Sequence, residues 1–203
     1  MSSELVRQLN DDLEQVLSRA LQSLVTVRSG RRGAGAGVVV HHDGLVVTAA
    51  HVLGSGSPEV VLPDGQTVPA RLVGYDQGAD LASLSVAARG LTAMELGDST
   101  RLRPGEWVMA LGHPLGVRGA ATGGVVIGVG EGWRPRPGAN REWVSAALHL
   151  RPGHSGGPMI DAQGRLVGIN TIMAGLDIGL AVPVHVVKAF LKQAMRSEAT
   201  VLV

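Results

Sequence analysis

Arg151-Pro152-Gly153-His154-Ser155-Gly156-Gly157-Pro158 is the stretch from which the rest of the chain can be read. A single serine stands among small residues. Gly153 has no Cβ, so its backbone N–H can come close to a substrate oxygen. The N–H of Ser155 can point to the same spot, and the two amides together make a candidate oxyanion hole. Gly156 and Gly157 leave room for a substrate backbone. Taken alone, such a run is a glycine-rich turn. To work as a nucleophile loop it needs a base and an orienting acid elsewhere.

Two segments upstream supply those groups. Thr48-Ala49-Ala50-His51-Val52-Leu53 ends a strand-like run on a histidine flanked by small residues, and Gly78-Ala79-Asp80-Leu81-Ala82 puts an aspartate at the head of an apolar run. A serine hydroxyl is a weak nucleophile at its own pKa. His51 would take its proton during attack and return it to the leaving amine, while Asp80 would hold the imidazole tautomer and stabilise the imidazolium. His51 and Asp80 fall in the first half of the chain and Ser155 in the second, so the cleft is expected between the halves.

The texture around these segments is β. Short alternating or apolar runs near 23–28, 37–40, 45–48, 59–62, 68–74 and 81–86 are separated by turn residues such as His42-Asp43-Gly44 and Pro63-Asp64-Gly65. Turns at regular spacing are the pattern of a small antiparallel barrel. After a connector over 87–104, runs near 107–111, 121–129, 143–146, 158–160, 166–173 and 178–182 give a second set. The expected fold is all-β: two packed six-stranded antiparallel barrels, about 25–90 and 105–183, within a domain spanning 25–203. Leu5, Leu9, Leu13, Val16, Leu17, Ala20, Leu21 and Leu24 recur at helical spacing, which predicts an N-terminal amphipathic helix over 1–24, capped by Ser2 or Ser3 and packed on the body. Pro183 at the first position predicts a closing C-terminal helix over 183–196. A loop rich in Gly, Pro and Arg is expected over 130–141. The glycines of 33–37 and 123–124 read as turns and bulges, since neither lies in a phosphate-loop setting.

Composition narrows the function classes. The 203 residues include 29 glycines and only five aromatics, three Trp, one Tyr and one Phe, so the core must be built from Val, Leu, Ile and Ala. The net charge of +1 carries no basic excess and excludes a dedicated nucleic-acid binder. There is no cysteine, hence no disulfide or thiolate chemistry. No segment has the length of a membrane-spanning helix. The N-terminus lacks the features of a signal peptide, so the chain as it stands reads as cytoplasmic, or periplasmic or extracellular if a leader has been removed.

The His51, Asp80 and Ser155 segments, in that order, resemble trypsin-like serine proteases. The closer resemblance is to the HtrA/Deg branch. It rests also on Gly35-Ala36-Gly37-Val38, Asp43-Gly44, Ala110-Leu111-Gly112-His113-Pro114-Leu115-Gly116, Gly124-Val125-Val126, Gly164-Arg165-Leu166-Val167-Gly168-Ile169-Asn170 and Gly179-Leu180-Ala181-Val182-Pro183. The resemblance implies a chymotrypsin-like double barrel and a serine endopeptidase acting on protein or peptide substrates through an acyl-enzyme, in protein quality control. Ser155 would be nucleophile, His51 base and Asp80 orienter, with Gly153 and Ser155 forming the oxyanion hole. It implies no metal and no organic cofactor. The alternative is a peptide-binding or chaperone-like module of the same fold, latent until a ligand or partner orders the oxyanion loop.

The chain departs from the family in several places. Family members usually carry PDZ domains after the protease domain, whereas this chain runs about twenty residues past Pro183, which reads as a PDZ-less protein or an isolated protease domain. They often trimerise through an N-terminal segment containing aromatics. The helix here has none, which leaves homo-oligomerisation open. The residue before the nucleophile is usually Asn or Asp, and here it is His154, expected either against the oxyanion loop or facing solvent. The resemblance places the pocket for the residue before the scissile bond at His149, Leu150, Thr171, Leu180 and Ala181. With no acid at its base, a small or medium aliphatic residue is expected there. His113 reads as a loop residue near the barrel junction. His41 and His42 read as a hairpin end, with no carboxylate at ligand spacing to make a metal pair.

Overall fold

The computed structural model describes residues 3–30, 33–130, 141–175 and 177–201. Helix α1 (Ser3–Leu21) leads into β1 (Leu24–Ser29), β2 (Gly33–His41), β3 (Leu45–Ala49), β4 (Pro58–Val61), β5 (Thr67–Asp76) and β6 (Leu81–Val86). After the connector come β7 (Trp107–Gly112), β8 (Ala120–Gly130), β9 (Trp143–Ala147), β10 (Pro158–Asp161), β11 (Leu166–Met173), β12 (Ile178–Pro183) and helix α2 (Val184–Val201). The strands close into two antiparallel barrels, ordered β1-β2-β3-β6-β5-β4 and β7-β8-β9-β12-β11-β10. The two orders are the same pattern repeated, although the residues show no internal repeat. The chymotrypsin-like all-β expectation therefore stands. No described helix is long and apolar enough to cross a membrane.

Strand periodicity explains how one chain fills three cores with so few aromatics. Successive side chains on a strand point to opposite faces. Val39 and Val46 fill the first barrel with Val25, Val27, Val60 and Leu84. Their neighbours Val38 and Val47 face the other way, into a cluster shared with Leu81, Leu111, Ile160 and Ile169 that joins the two barrels. Val108, Val126, Val144, Met159 and Val167 fill the second barrel. Each such side chain, fully buried, stabilises the fold by about 1.5–3 kcal/mol.

The two helices extend the joining cluster. Val187, Phe190 and Leu191 of α2 belong to it, as do Val16 and Ala20 of α1. Although α2 follows the second barrel, it lies across β5 of the first. A Cβ on Gly74 would meet Ala194 Cβ at 2.7 Å and Phe190 Cζ at 3.2 Å. The ammonium of Lys188 donates to Gly97 O at 2.7 Å and fixes the helix to the connector.

Several boundaries differ from those read in the sequence. The first helix stops at Leu21, and Leu24 opens β1. Only its second half packs, because Leu5 and Leu9 are 54% and 55% exposed. Pro183 ends β12, and α2 starts one residue later. Ser2 and 131–140 lie outside the described residues.

The glycines of 33–35 lie in strand β2 rather than in a turn, and those of 123–124 lie in β8, within the strand expected near 121–129. Gly33 and Gly35 pair with Ser29 and Val27 in β2, and Gly123 and Gly124 pair with Met109 and Val108 in β8. Their glycines serve close packing. Beside Gly35 a Cβ would sit 2.8 Å from Ser155 O, and on Gly124 it would sit 1.9 Å from Ala147 O. Gly124→Ala is therefore expected to destabilise the protein by about 3 kcal/mol, measured by chemical denaturation. A change within about 0.5 kcal/mol would mean that β9 gives way at no cost.

Candidate active site

Strand pairing brings His51 and Asp80 together. His51 lies in a single 3₁₀ turn, Ala50–Val52, immediately after β3. Asp80 immediately precedes β6, and β3 pairs with β6 so that Ala49 faces Leu81. The imidazole donates from Nδ1 to both oxygens of Asp80, at 3.1 and 2.9 Å. Asp80 Oδ1 also accepts the His51 backbone N–H at 3.0 Å, and Asp80 O accepts the Ala50 N–H at 3.1 Å. Four contacts thus tie one residue to the His51 turn. Asp80 adopts a left-handed backbone with φ 57°. Aspartate tolerates this region better than most residues, at a cost of about 1 kcal/mol. With Nδ1–H held by the carboxylate, Nε2 of the neutral ring is the free base, and the ring is exposed enough to reach a substrate.

Ser155 comes from the second barrel and is docked on the first. Its carbonyl accepts the Ala36 N–H of β2 at 2.8 Å. Gly156 makes the approach possible with φ 81°, since a Cβ there would lie 2.2 Å from Thr48 Oγ1 and 2.3 Å from Ala36 O. On the other side, Gly156 N–H donates to Asn170 O and Asn170 N–H donates to Gly157 O, both at 2.8 Å. The Ser155 hydroxyl donates to Thr171 O at 3.0 Å. That carbonyl is available because the β11–β12 register slips between Asn170 and Ile172, leaving Thr171 unpaired. Among the described residues no hydrogen bond joins Ser155 Oγ to His51. The N–H groups of Gly153 and Ser155 likewise donate to nothing among the described residues.

Gly153 occupies the third position of a tight turn. His154 N–H donates to Arg151 O at 2.9 Å, and Gly153 has φ 105° with Pro152 before it, the chemistry of a type II turn. A Cβ on Gly153 would lie 2.5 Å from His113 O, and the His113 N–H donates to Gly153 O at 2.9 Å. His154 does not face solvent: it is 2% exposed. Burial pushes its pKa below the ordinary histidine value, with the charges of Arg151 and His149 acting the same way. His113 is half-buried and lowered for the same first reason, and its Nδ1 accepts the Gly119 N–H at 3.2 Å.

The remaining sequence-predicted residues spread around Gly179. A Cβ on Gly179 would meet Leu148 Cδ1 at 2.5 Å and Leu150 Cγ at 3.1 Å, so leucines already fill the space beside that glycine. Leu150 and Ala181 pack in the second-barrel core, and Leu180 in the joining cluster. Thr171 is buried, with its hydroxyl on Ile169 O at 3.3 Å. His149 is exposed and pairs through Nδ1 with Asp177 Oδ1 at 2.7 Å. An acid therefore does stand beside His149, brought from the β11–β12 turn. Spacing within 147–152 could not show it.

Two features lie outside this constellation. A polar recess of about 720 Å³ is lined by Asp98, Arg103, Glu106, Trp107, Asp161 and Arg165, and contains none of His51, Asp80 or Ser155. His41, His42 and Asp43 bring their ligand atoms within 4.8 Å of one another, so a carboxylate does accompany the histidine pair. His41 Nδ1 already accepts the Asp43 N–H at 3.3 Å, which commits one of the three donors.

A double barrel with a histidine–aspartate pair facing a serine loop across the junction defines the trypsin-like class. The family model of the trypsin-like peptidase domain matches residues 35–169, and the chain belongs to that family. Within the class, it is 36% identical over 165 residues to the mitochondrial serine protease HTRA2 of Drosophila pseudoobscura pseudoobscura, covering 79% of this chain and 39% of the relative. It is 34% identical over 159 residues to the putative serine protease HhoB of Synechocystis, covering 76% and 38%. The chain thus spans about two fifths of the length of these relatives. Among solved structures, the HtrA-type protease AlgW with a decapeptide superposes with a TM-score of 0.80 at 27% identity, covering 89% of this chain and 66% of that one. A second AlgW structure, with a tripeptide, gives 0.80 at 32% identity, covering 87% and 61%.

Asp80→Asn keeps the side-chain shape but leaves one acceptor oxygen for the two His51 donors. The expected loss is about 2 kcal/mol in chemical denaturation, with the far-ultraviolet circular dichroism unchanged. No measurable loss would show that Asp80 does not hold the His51 turn.

Proposed function

We propose that this chain is an HtrA-like serine endopeptidase that cleaves peptide bonds in protein substrates. The observation that carries the reading is the grip of both Asp80 oxygens on His51 Nδ1, which leaves Nε2 as a base at the junction where Ser155 is docked. Ser155 Oγ attacks the substrate carbonyl carbon while His51 Nε2 takes the hydroxyl proton. The carbonyl oxygen becomes an oxyanion received by the N–H groups of Gly153 and Ser155. His51 then gives its proton to the leaving amine, and the C–N bond breaks to leave an acyl-enzyme. Water, deprotonated by the same nitrogen, releases the acid and restores Ser155. Asp80 keeps the ring oriented and offsets its positive charge throughout. The named serine proteases among the relatives support this chemistry, and the peptides in the AlgW structures support a peptide as the ligand of the cleft.

One observation favours a second reading, a latent form. The Ser155 hydroxyl rests on Thr171 O, so it must leave that acceptor before it can give its proton to His51. A peptide lying along β11 would compete for the backbone near Thr171 and free the hydroxyl. Substrate or a partner then activates the site.

A fluorophosphonate probe is expected to label the protein on Ser155. Ser155→Ala abolishes labelling and lowers casein hydrolysis by at least about 10³-fold. Labelling that is slow alone and rises with added peptide marks the latent form. Absence of labelling with and without peptide, in folded protein, overturns the enzyme reading.

The packing beside Gly179 bears on specificity. Leu148 and Leu150 occupy the space where a large side chain would enter, so a small aliphatic residue before the scissile bond fits best. Leu150→Ala is expected to shift cleavage of a peptide library toward larger aliphatic residues at that position, at a stability cost of about 2–4 kcal/mol. An unchanged cleavage profile removes Leu150 from the pocket.

A further inference from the structure

His154 stands between the two residues whose amides would receive the oxyanion, and nothing in the chemistry above uses it. Its ring is buried and its partners are all main chain. The Arg151 N–H donates to His154 Nδ1 at 3.0 Å, while the His154 N–H donates to Arg151 O at 2.9 Å. Arg151 and His154 are the first and last residues of the Pro152–Gly153 turn. The turn is therefore tied at its ends twice, once by backbone and once by the imidazole. Pro152 fixes one φ and Gly153 supplies the positive one, which leaves the closure of the ends as the remaining freedom. Among the described residues the imidazole is the one side chain that bonds across that closure, beside the backbone bond and the His113 N–H on Gly153 O.

We infer that His154 is a positioning residue for the oxyanion loop: its neutral ring, accepting the Arg151 N–H on Nδ1, holds the turn that carries the Gly153 amide, and protonation of the ring releases that turn. The inference rests on the proposed endopeptidase reading for its effect on rate. Because Nδ1 accepts, the neutral ring carries its proton on Nε2, and that nitrogen has no hydrogen-bond partner among the described residues. A second proton would sit on Nδ1 and face the Arg151 N–H head on. Its other near neighbour is Arg151 O at 3.2 Å, which accepts the His154 backbone N–H and has a second lone pair for an Nδ1 proton. This contact raises the pKa and partly offsets burial, so protonation moves the ring's bond from the Arg151 N–H to the Arg151 carbonyl.

The charged and titratable groups around the ring oppose a positive charge. Arg151 and His149 act on it from its own loop, and His113, just after β7, interacts with it and is itself lowered by burial and by Arg118. The carboxylate of Asp177 is engaged with His149 at 2.7 Å. Burial adds to this and keeps the ring neutral to lower pH than an ordinary histidine. For a base held neutral by the fold, the stabilisation of the loop is complete above the ordinary histidine value. It is lost as the pH falls through the lowered one.

The test compares wild type with His154→Asn and His154→Leu. Asparagine puts Oδ1 where Nδ1 stands, keeps the acceptor and does not titrate, whereas leucine fills the space without an acceptor. At neutral pH His154→Asn is expected to keep kcat within about threefold of wild type. His154→Leu loses about 10- to 100-fold in kcat with little change in KM, as for a displaced oxyanion donor. In acid, log(kcat/KM) of wild type is expected to fall with a slope steeper by up to about one than that of His154→Asn, which lacks the second titrating ring. Nitrogen-15 NMR of the uncleaved protein supplies a readout independent of activity. His154 is expected as the Nε2–H tautomer, and the Arg151 and Gly153 amide shifts follow its titration. Matching acid limbs in wild type and His154→Asn, or Arg151 and Gly153 amides indifferent to that titration, overturn the inference. If wild type hydrolyses nothing and Ser155 is not labelled, the endopeptidase reading fails, and the amide shifts alone decide the role of His154.

Discussion

The hydrogen bond from Ala36 N–H to Ser155 O is the contact on which the arrangement of the two barrels depends. It is a main-chain bond between a strand of the first barrel and a loop of the second, 2.8 Å long. Two backbones can approach so closely only where side chains are missing. Gly35 and Gly156 supply that absence, one on each side of the contact. Around it the apolar cluster shared by both barrels excludes water, which makes the bond costly to leave unmade. The relative placement of Ser155 and His51 is thus set by peptide groups and glycines.

Much of this was legible in the residues, because the informative signals are local. Turn residues at regular spacing gave the strand count. His51 and Asp80 could be paired because each lies at the end of an apolar run that strand pairing can bring side by side. What escaped the sequence is long-range. Gly33–Gly37 looked like turns because local composition cannot distinguish a flexible glycine from one that lets another backbone dock. The resting partner of Ser155 depends on a register slip in β11, which no residue of 166–173 announces. His154 offered two readings of equal weight, and only the closure of the Pro152–Gly153 turn over its ring decides between them. The second half of α1 packs and the first does not, although the helical apolar spacing runs unbroken through both.

The site also divides its polar groups by solvent. The His51 ring is open and paired with a carboxylate, so either of its charge states finds a partner. His154 and His113 are packed at the loop with cations nearby, and among the described residues no carboxylate bonds to either. The same side chain thus meets two environments within one constellation, open beside a carboxylate at position 51 and buried against main chain at position 154.

The path of α2 has a consequence for the order in which the protein becomes competent. The first barrel is complete in chain terms at Val86, yet β5 has its outer neighbour only when Phe190 and Ala194 arrive, and β2 has its docked loop only when 154–157 arrive. A chain emerging from the ribosome at about 5–20 residues per second would hold its histidine and aspartate for several seconds before its serine, and its serine before its strap. Competence then comes as one late event, after the helix that spans both barrels has been made. A nascent or truncated chain would carry His51 and Asp80 without a docked Ser155.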